Sequence, residues 1–285
     1  MRSEFLYFLI LLTVQSCTPD RPGEPPLEPF PVPTGYRLVW SDEFDRGSRP
    51  DTTNWSYERG FVRNREDQWY QEDNARVENG FLVIEGRRER KPNPTHRPGS
   101  DDWRHVRPEI EYTSSSINTR GKGEWRYGRF EMRGKIPVGQ GIWPAWWTLG
   151  TQGDWPGNGE IDIMEYYQDQ LLANIASRGA DGQALWFDRR IPLDSLGGAQ
   201  WADQFHVWRM DWDENAIALY VDDSLLNRQP MEELANRDGS NFHPFRQPHY
   251  MLLNLALGGT NGGPLEEAQL PARLVVDYVR VYQPE

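Results

Sequence analysis

The chain has 285 residues, enough for one large domain behind a short N-terminal leader, and its single cysteine excludes an intrachain disulfide. A net charge of −12 repels nucleic acid, so any polymer bound is neutral or meets a local basic patch. Hydrophobic residues make up only 37%, but 13% are aromatic and each of these buries a large area.

Residues 5–14 form an apolar run too short to span a bilayer as a helix and suited to the core of a signal peptide. Val14-Gln15-Ser16-Cys17 has the form of a bacterial lipobox, so residues 1–16 are expected to be a lipoprotein signal peptide that leaves Cys17 as the lipidated first residue. An ordinary signal peptide cut nearby is the alternative. The lipobox reading places the protein at the bacterial cell envelope, touching the membrane only through a lipid anchor at Cys17. Residues 17–33 are proline-rich, with seven prolines from position 18 onward, and extend as a tether. Residues 34–285 form the single folded domain.

From Tyr36 the pattern turns to short alternating strands. Phe81-Leu82-Val83-Ile84 follows an Asn79-Gly80 turn, a strong hairpin signal. Residues 63–107 are rich in arginine (Arg63, Arg65, Arg87, Arg88, Arg90, Arg97, Arg104, Arg107). One reading is a solvated loop and hairpin. The sharper one is a patch gripping an anionic polysaccharide, because guanidinium forks suit sulfate and carboxylate groups. Lys91–Glu111 is long enough to shape one end of a cleft. Residues 127–136 alternate charged and apolar side chains, as a strand with one wet face does. Residues 205–212 put His206, Trp208, Met210 and Trp212 on one face, where His206 reads as a core or supporting residue rather than a general base. Residues 217–221, 250–257 and 273–282 are further strands, and residues 231–236 a short helix. The glycine-rich stretch 258–263 lacks a P-loop lysine and reads as a rim loop near a cleft. Many short strands, frequent turns and almost no helical period argue for an all-β sandwich or barrel.

The stretch around which the rest is organised is Gly159-Glu160-Ile161-Asp162-Ile163-Met164-Glu165. Three carboxylates interleaved with large aliphatics carry a desolvation cost that clustering increases, and such clusters mark chemistry. Strict alternation would put Glu160, Asp162 and Met164 on one face and Glu165 on the other. A β-bulge near Ile163-Met164 returns Glu165 to the face of Glu160 and Asp162. Four effective steps of ~3.3 Å then set the two Glu Cα atoms ~13 Å apart. Converging side chains bring their carboxyls to ~5–6 Å, nearer the spacing of retaining glycosidases than the wider inverting gap. Without the bulge, the acids would face solvent or hold a cation. The surroundings are aromatic: Trp143, Trp146, Trp147 and Trp155 lie just upstream, and the chain's 13 tryptophans exceed what one small core uses. Indoles beside carboxylates suit a sugar, whose apolar ring faces stack while its hydroxyls bond to acids.

Trp143-Pro144-Ala145-Trp146-Trp147, Trp155-Pro156 and Glu160-Ile161-Asp162-Ile163-Met164-Glu165 resemble glycoside hydrolase family 16 in its bulged-motif, laminarinase-like branch. Trp40–Phe44, Asn74–Gly80, Tyr127–Arg133 and Val276–Tyr282 are similar to family segments in family order, so the likeness covers residues 36–283. The resemblance implies a β-jelly-roll sandwich of two antiparallel sheets, with a concave substrate cleft running across the strands. It implies Glu160 as nucleophile and Glu165 as general acid/base. Asp162 would hydrogen-bond the nucleophile and keep the two glutamates in different protonation states. Trp143, Trp147 and Trp155 match sugar-subsite positions, and Asn174 is taken as a further substrate contact. Catalysis needs no cofactor, whereas a structural calcium near Glu43, Gly80 and Asp277 is implied. One departure stands out: a His-containing strand of this branch is replaced by Leu171-Leu172-Ala173-Asn174-Ile175-Ala176-Ser177, which leaves glucan specificity open.

The expected protein is a monomeric, retaining, endo-acting hydrolase of β-linked polysaccharide, with β-1,3- or mixed-linkage β-glucan favoured. Hydrolysis of agar- or carrageenan-type or other acidic glycans is the alternative within enzymes. Outside them stands a non-catalytic carbohydrate-binding lectin on the same fold, against which the intact trio of acids speaks. Neither a His-Glu-x-x-His nor a Gly-x-Ser-x-Gly occurs, so metallohydrolase and serine hydrolase readings find no support.

Overall fold

The computed structural model describes residues 32–285; the expected signal peptide, Cys17 and nearly all of the tether lie outside the described residues. The chain runs through β1 (Tyr36–Asp42), β2 (Ser56–Tyr57), β3 (Gln68–Tyr70), β4 (Ala75–Glu78), β5 (Phe81–Pro92) and β6 (Glu109–Ser114). It continues through β7 (Ser116–Asn118), β8 (Gly128–Lys135), β9 (Ile142–Gly150), β10 (Glu160–Tyr167), β11 (Gln170–Arg178) and β12 (Ala184–Phe187). The last are β13 (Arg190–Pro192), β14 (His206–Trp212), β15 (Ala216–Val221), β16 (Ser224–Pro230), β17 (His249–Leu257) and β18 (Ala272–Pro284).

These strands make the two sheets of a jelly roll. One runs β16-β15-β14-β8-β18-β5-β6-β3, with β1 beside β18 and β4 beside β5. The other runs β12-β11-β10-β9-β17-β7-β2, with β13 beside β11. Pairing is antiparallel, as expected, with one parallel pair between β3 and β6.

Alternation builds the core. In β14, His206, Trp208, Met210 and Trp212 are buried while the residues between them are half-exposed. Phe130 and Met132 of β8, Trp208 and Met210 of β14, and Val279 and Val281 of β18 meet Trp146 of β9, Ile161 and Ile163 of β10, and Leu253 of β17 in one cluster. The second sheet is apolar on its outer face too, where Ala145, Trp147, Tyr250 and Leu252 form a separate small cluster. That is why β11 and β17 read as nearly unbroken apolar runs: both of their faces are covered.

Four expectations meet the structure here. His206 is structural, as its sequence setting suggests. Its Nδ1 lies 2.8 Å from Asp222 Oδ2, its Nε2 lies 2.9 Å from the Trp201 carbonyl oxygen, and its ring stacks on Trp201 at 3.9 Å. The short helix expected over residues 231–236 is only a 3-10 turn, Met231–Glu233. Lys91–Glu111 does not shape the cleft. It is largely a loop between the end of β5 and the start of β6, with a one-turn helix α1 (Trp103–Val106), and packs Trp103 and Arg107 against Phe61.

The calcium trio does not fit a cation. Both Glu43 oxygens accept from Arg280, at 2.9 and 2.7 Å, and fully buried Asp277 accepts from Arg133 at 2.8 Å. Gly80 lies in the turn between β4 and β5. Among the described residues no group of three or more His, Cys, Asp or Glu side chains could hold a metal ion. Each carboxylate of the trio already has a guanidinium partner, so the charge that would attract calcium is compensated within the protein.

Removing the His206 ring takes away two hydrogen bonds worth about 1 kcal/mol each, along with a stacking partner. His206→Ala is expected to lower Tm by roughly 5–10 °C in a thermal melt while leaving turnover at saturating substrate unchanged. Turnover lost with Tm unaltered would instead give this histidine a part in the chemistry.

Candidate active site

The chain turns into β10 at Gly159, where φ is +78° and an added Cβ would lie 2.8 Å from Pro244 and 3.0 Å from the Phe245 ring. Only glycine suits that turn and that closeness. Along β10 the register against β9 passes from Asp162 opposite Trp147 to Met164 opposite Trp146, with one residue left over. Against β11 it passes from Asp162 opposite Asn174 to Glu165 opposite Leu172. This is the expected bulge, and it falls at Ile163-Met164. Both residues are fully buried in the inter-sheet core, and Glu165 emerges on the outer face with Glu160 and Asp162.

Three rows of side chains then cross the outer face at right angles to the strands. Tyr250, Leu149, Glu160, Ala176 and Trp186 form the first. Leu252, Trp147, Asp162 and Asn174 form the second, and Asn254, Ala145, Glu165, Leu172 and Arg190 the third. Over them lies an open cleft of about 640 Å³, lined by all three acids together with Trp143, Trp147, Trp155 and Asn174. Every residue expected to act or bind sugar is therefore gathered in one place.

The tryptophans divide by role. Trp146 is core, as alternation with its neighbours requires. Trp143 donates from Nε1 to Glu165 Oε1 at 2.8 Å, and Trp155, 52% exposed, donates from Nε1 to Glu160 Oε2 at 2.6 Å. Trp147 donates to Asn254 Oδ1 at 2.8 Å, and the Arg63 guanidinium, held by Glu58, lies 5.2 Å from its ring centre. Trp147 is thus a fixed wall, whereas Trp155 is open to a ligand. Asn174 is buried, and its side-chain oxygen accepts the Arg189 N–H at 3.0 Å. Of the nine arginines between residues 63 and 107, only Arg63 reaches the cleft. Arg87, Arg88, Arg90, Arg104 and Arg107 pair with Glu89, Glu267, Glu109, Asp102 and Asp67, so the anion-gripping patch is not formed.

Sequence reasoning missed Trp186, Asp188 and Arg190, which line the cleft beside β11. They come from two short strands and the turn between them, with no periodicity to mark them; an indole in the short apolar run Ala184-Leu185-Trp186-Phe187 was the available signal. Asn64, Glu66, Asn254 and Asn261 add polar lining on the other side.

Burial dominates the electrostatics. It pushes Glu160 up to about 7, against the hydrogen bonds from Trp155 and Asp162. It pushes Glu165 up to about 8, opposed by the Trp143 indole and reinforced by the charge of Glu160. Asp162 is raised well above the carboxylate range by burial first and then by the charges of Glu160 and Glu165 on either side. The consistent arrangement is a protonated Asp162 donating to Glu160, which lets Glu160 ionise while Glu165 keeps its proton. One ionised and one protonated carboxyl across a cleft wide enough for a sugar can attack and protonate a glycosidic bond.

These shifts also bear on stability. A carboxyl raised in the folded state contributes stability that is complete below its unfolded pKa and is lost as pH rises through the folded value. For Glu165 that loss runs from the ordinary carboxylate range to about 8. Glu165→Gln should therefore match the wild-type Tm near pH 5 and exceed it near pH 9, by roughly 2–4 °C per kcal/mol. Equal melting points at both pH values would show that Glu165 ionises without cost.

The profile described as glycosyl hydrolases family 16 matches residues 64–280. A β-glucanase of Rhodothermus marinus is 39% identical over 267 residues, covering 87% of this chain and 85% of that protein. The structure of the laminarinase from Rhodothermus marinus superposes with a TM-score of 0.72 at 39% identity, covering 88% of this chain and 98% of the other. A structure from work on endo-acting O-glycanases with which human gut microbiota initiate mucin breakdown superposes with a TM-score of 0.80 at 35% identity, covering 89% and 93%. With the three acids of the bulged strand gathered in one cleft, and with this extent of likeness, the chain belongs to glycosyl hydrolases family 16 and is a glycosidase.

Proposed function

We propose that the protein is a retaining, endo-acting hydrolase of β-1,3- or mixed-linkage β-glucan, anchored to the bacterial cell envelope through Cys17 and acting as a monomer. The observation that carries the mechanism is the bulge that sets Glu160, Asp162 and Glu165 on one face of β10. Glu160 attacks the anomeric carbon as Glu165 protonates the departing glycosidic oxygen, so the C–O bond breaks and a glycosyl ester forms on Glu160. Glu165, now ionised, takes a proton from water, and that water displaces Glu160 to release the sugar. Asp162 stays neutral and steadies the charge on Glu160 before the attack and again as water displaces it.

The charge of the cleft favours a neutral substrate. Glu66, Glu160, Asp162, Glu165 and Asp188 line it against only Arg63 and Arg190. With Asp162 and Glu165 protonated, Glu66, Glu160 and Asp188 still outnumber the two guanidiniums, so a sulfated or uronic chain finds no excess of positive charge there, which weighs against acidic glycans. The relatives named as a β-glucanase and a laminarinase support the glucan reading. A second reading, an endo-acting O-glycanase of mucin, is favoured by the higher TM-score of 0.80 for that structure and by the absence of histidine from β11.

The wild-type protein is expected to release reducing sugar from laminarin and lichenan. Release from mucin O-glycans alone would select the second reading, and binding without release from any glycan would make the protein a lectin. Glu165→Ala should lose about 10²–10⁴-fold in rate. Added azide should restore part of that rate and yield a β-glycosyl azide, whereas an α-azide would mean inversion.

A further inference from the structure

The chain's 13 tryptophans all lie within the described residues, and only Trp155 at 52% and Trp186 at 40% are exposed. Both open on the same cleft. Trp155 is tied to Glu160, but among the described residues none hydrogen-bonds the Trp186 indole or stacks on it. Trp186 sits on β12, the strand at the end of its sheet. A large apolar side chain on such an edge adds nothing to the core and invites unwanted association. Its position in the fold therefore needs a reason other than stability.

Its place in the sheet suggests one. In the first row Ala176 alone separates Glu160 from Trp186, and in the third Leu172 alone separates Glu165 from Arg190. Two strand spacings set each pair apart by ~9.5 Å. The two intervening residues carry no polar atom, so the floor between is smooth. Asp188 lies in the turn joining β12 to β13, with its Oδ2 3.4 Å from the Arg190 guanidinium. An ion pair this exposed adds little to stability. Next to an open indole it offers a donor and an acceptor side by side at no net charge, a match for the hydroxyls of a neutral sugar whose ring lies on the indole face.

We infer that Trp186, Asp188 and Arg190 form a further sugar-binding subsite, remote from the scissile bond, on the β12–β13 side of the cleft. The inference rests on the glycan-cleaving reading of the cleft and extends it by assigning the residues that sense chain length. Substrates too short to reach two strands beyond the catalytic carboxyls gain nothing from it.

The test uses the full chain and an oligosaccharide length series of whichever glycan the wild type cleaves. Trp186→Ala should lower kcat/KM on the hexasaccharide at least tenfold more than on the trisaccharide, chiefly through KM. Trp186→Phe should recover most of that difference, and Arg190→Ala should reproduce part of it. An equal loss at every length, or no loss, overturns the subsite while leaving the glycosidase reading intact. If the wild type cleaves no glycan, that reading fails first. The subsite is then decided by affinity electrophoresis in gels containing laminarin, lichenan or mucin. Retardation of the wild type that Trp186→Ala abolishes supports the subsite, and equal mobility of the two proteins overturns it.

Discussion

One extra residue in one strand is the constraint on which the site depends. A β-strand offers each side chain only two directions, so three acids spaced as Glu160, Asp162 and Glu165 cannot share a face unless the alternation slips once. The slip is held in place by burial: Ile163 and Met164 both point into the inter-sheet core, which rewards two consecutive apolar side chains on the same side. Hydrophobic packing thus fixes the phase of the strand, and the phase fixes the chemistry. The core below and the cleft above are two consequences of a single register shift.

Around that shift the electrostatics are arranged in opposition. Burial alone would leave all three carboxyls neutral and useless for attack. The Trp155 indole and Asp162 lower the cost of charge on Glu160, while Glu165 has a single indole donor and the charge of its partner nearby. Two residues of the same type are thereby given different tasks by their neighbours. The walls enforce this, since Trp143 and Trp147 are almost fully buried and their ring nitrogens are committed to Glu165 and Asn254.

How much of this could be read from the chain differs by element. The bulge was legible because Ile163-Met164 interrupts the alternation at the one point where the acids need it. The separation of core Trp146 from cleft Trp143 and Trp147 follows from the same alternation in β9. The arginines were legible only in part: Arg87 and Arg104 pair with carboxylates two residues away, whereas Arg88 pairs with Glu267, 179 residues away. Glu43 likewise meets Arg280 across 237 residues, a pairing that no local pattern marks. Trp186 was hidden for another reason. Its strand has only four residues, and its meaning comes from lying across Ala176 from Glu160, a relation made by pairing rather than by spacing.

The two-sided burial of β11 and β17 has a consequence for how such an enzyme can change. A cleft floor whose strands are packed into the inter-sheet core beneath cannot drift gradually, because any altered size disturbs a packed layer. New preferences must then arise at the margins, in the short outer strands and the glycine-rich rim, where replacement disturbs little. The molecule is in this sense a fixed anvil with interchangeable edges, and related proteins that act on different glycans are to be told apart at those edges first.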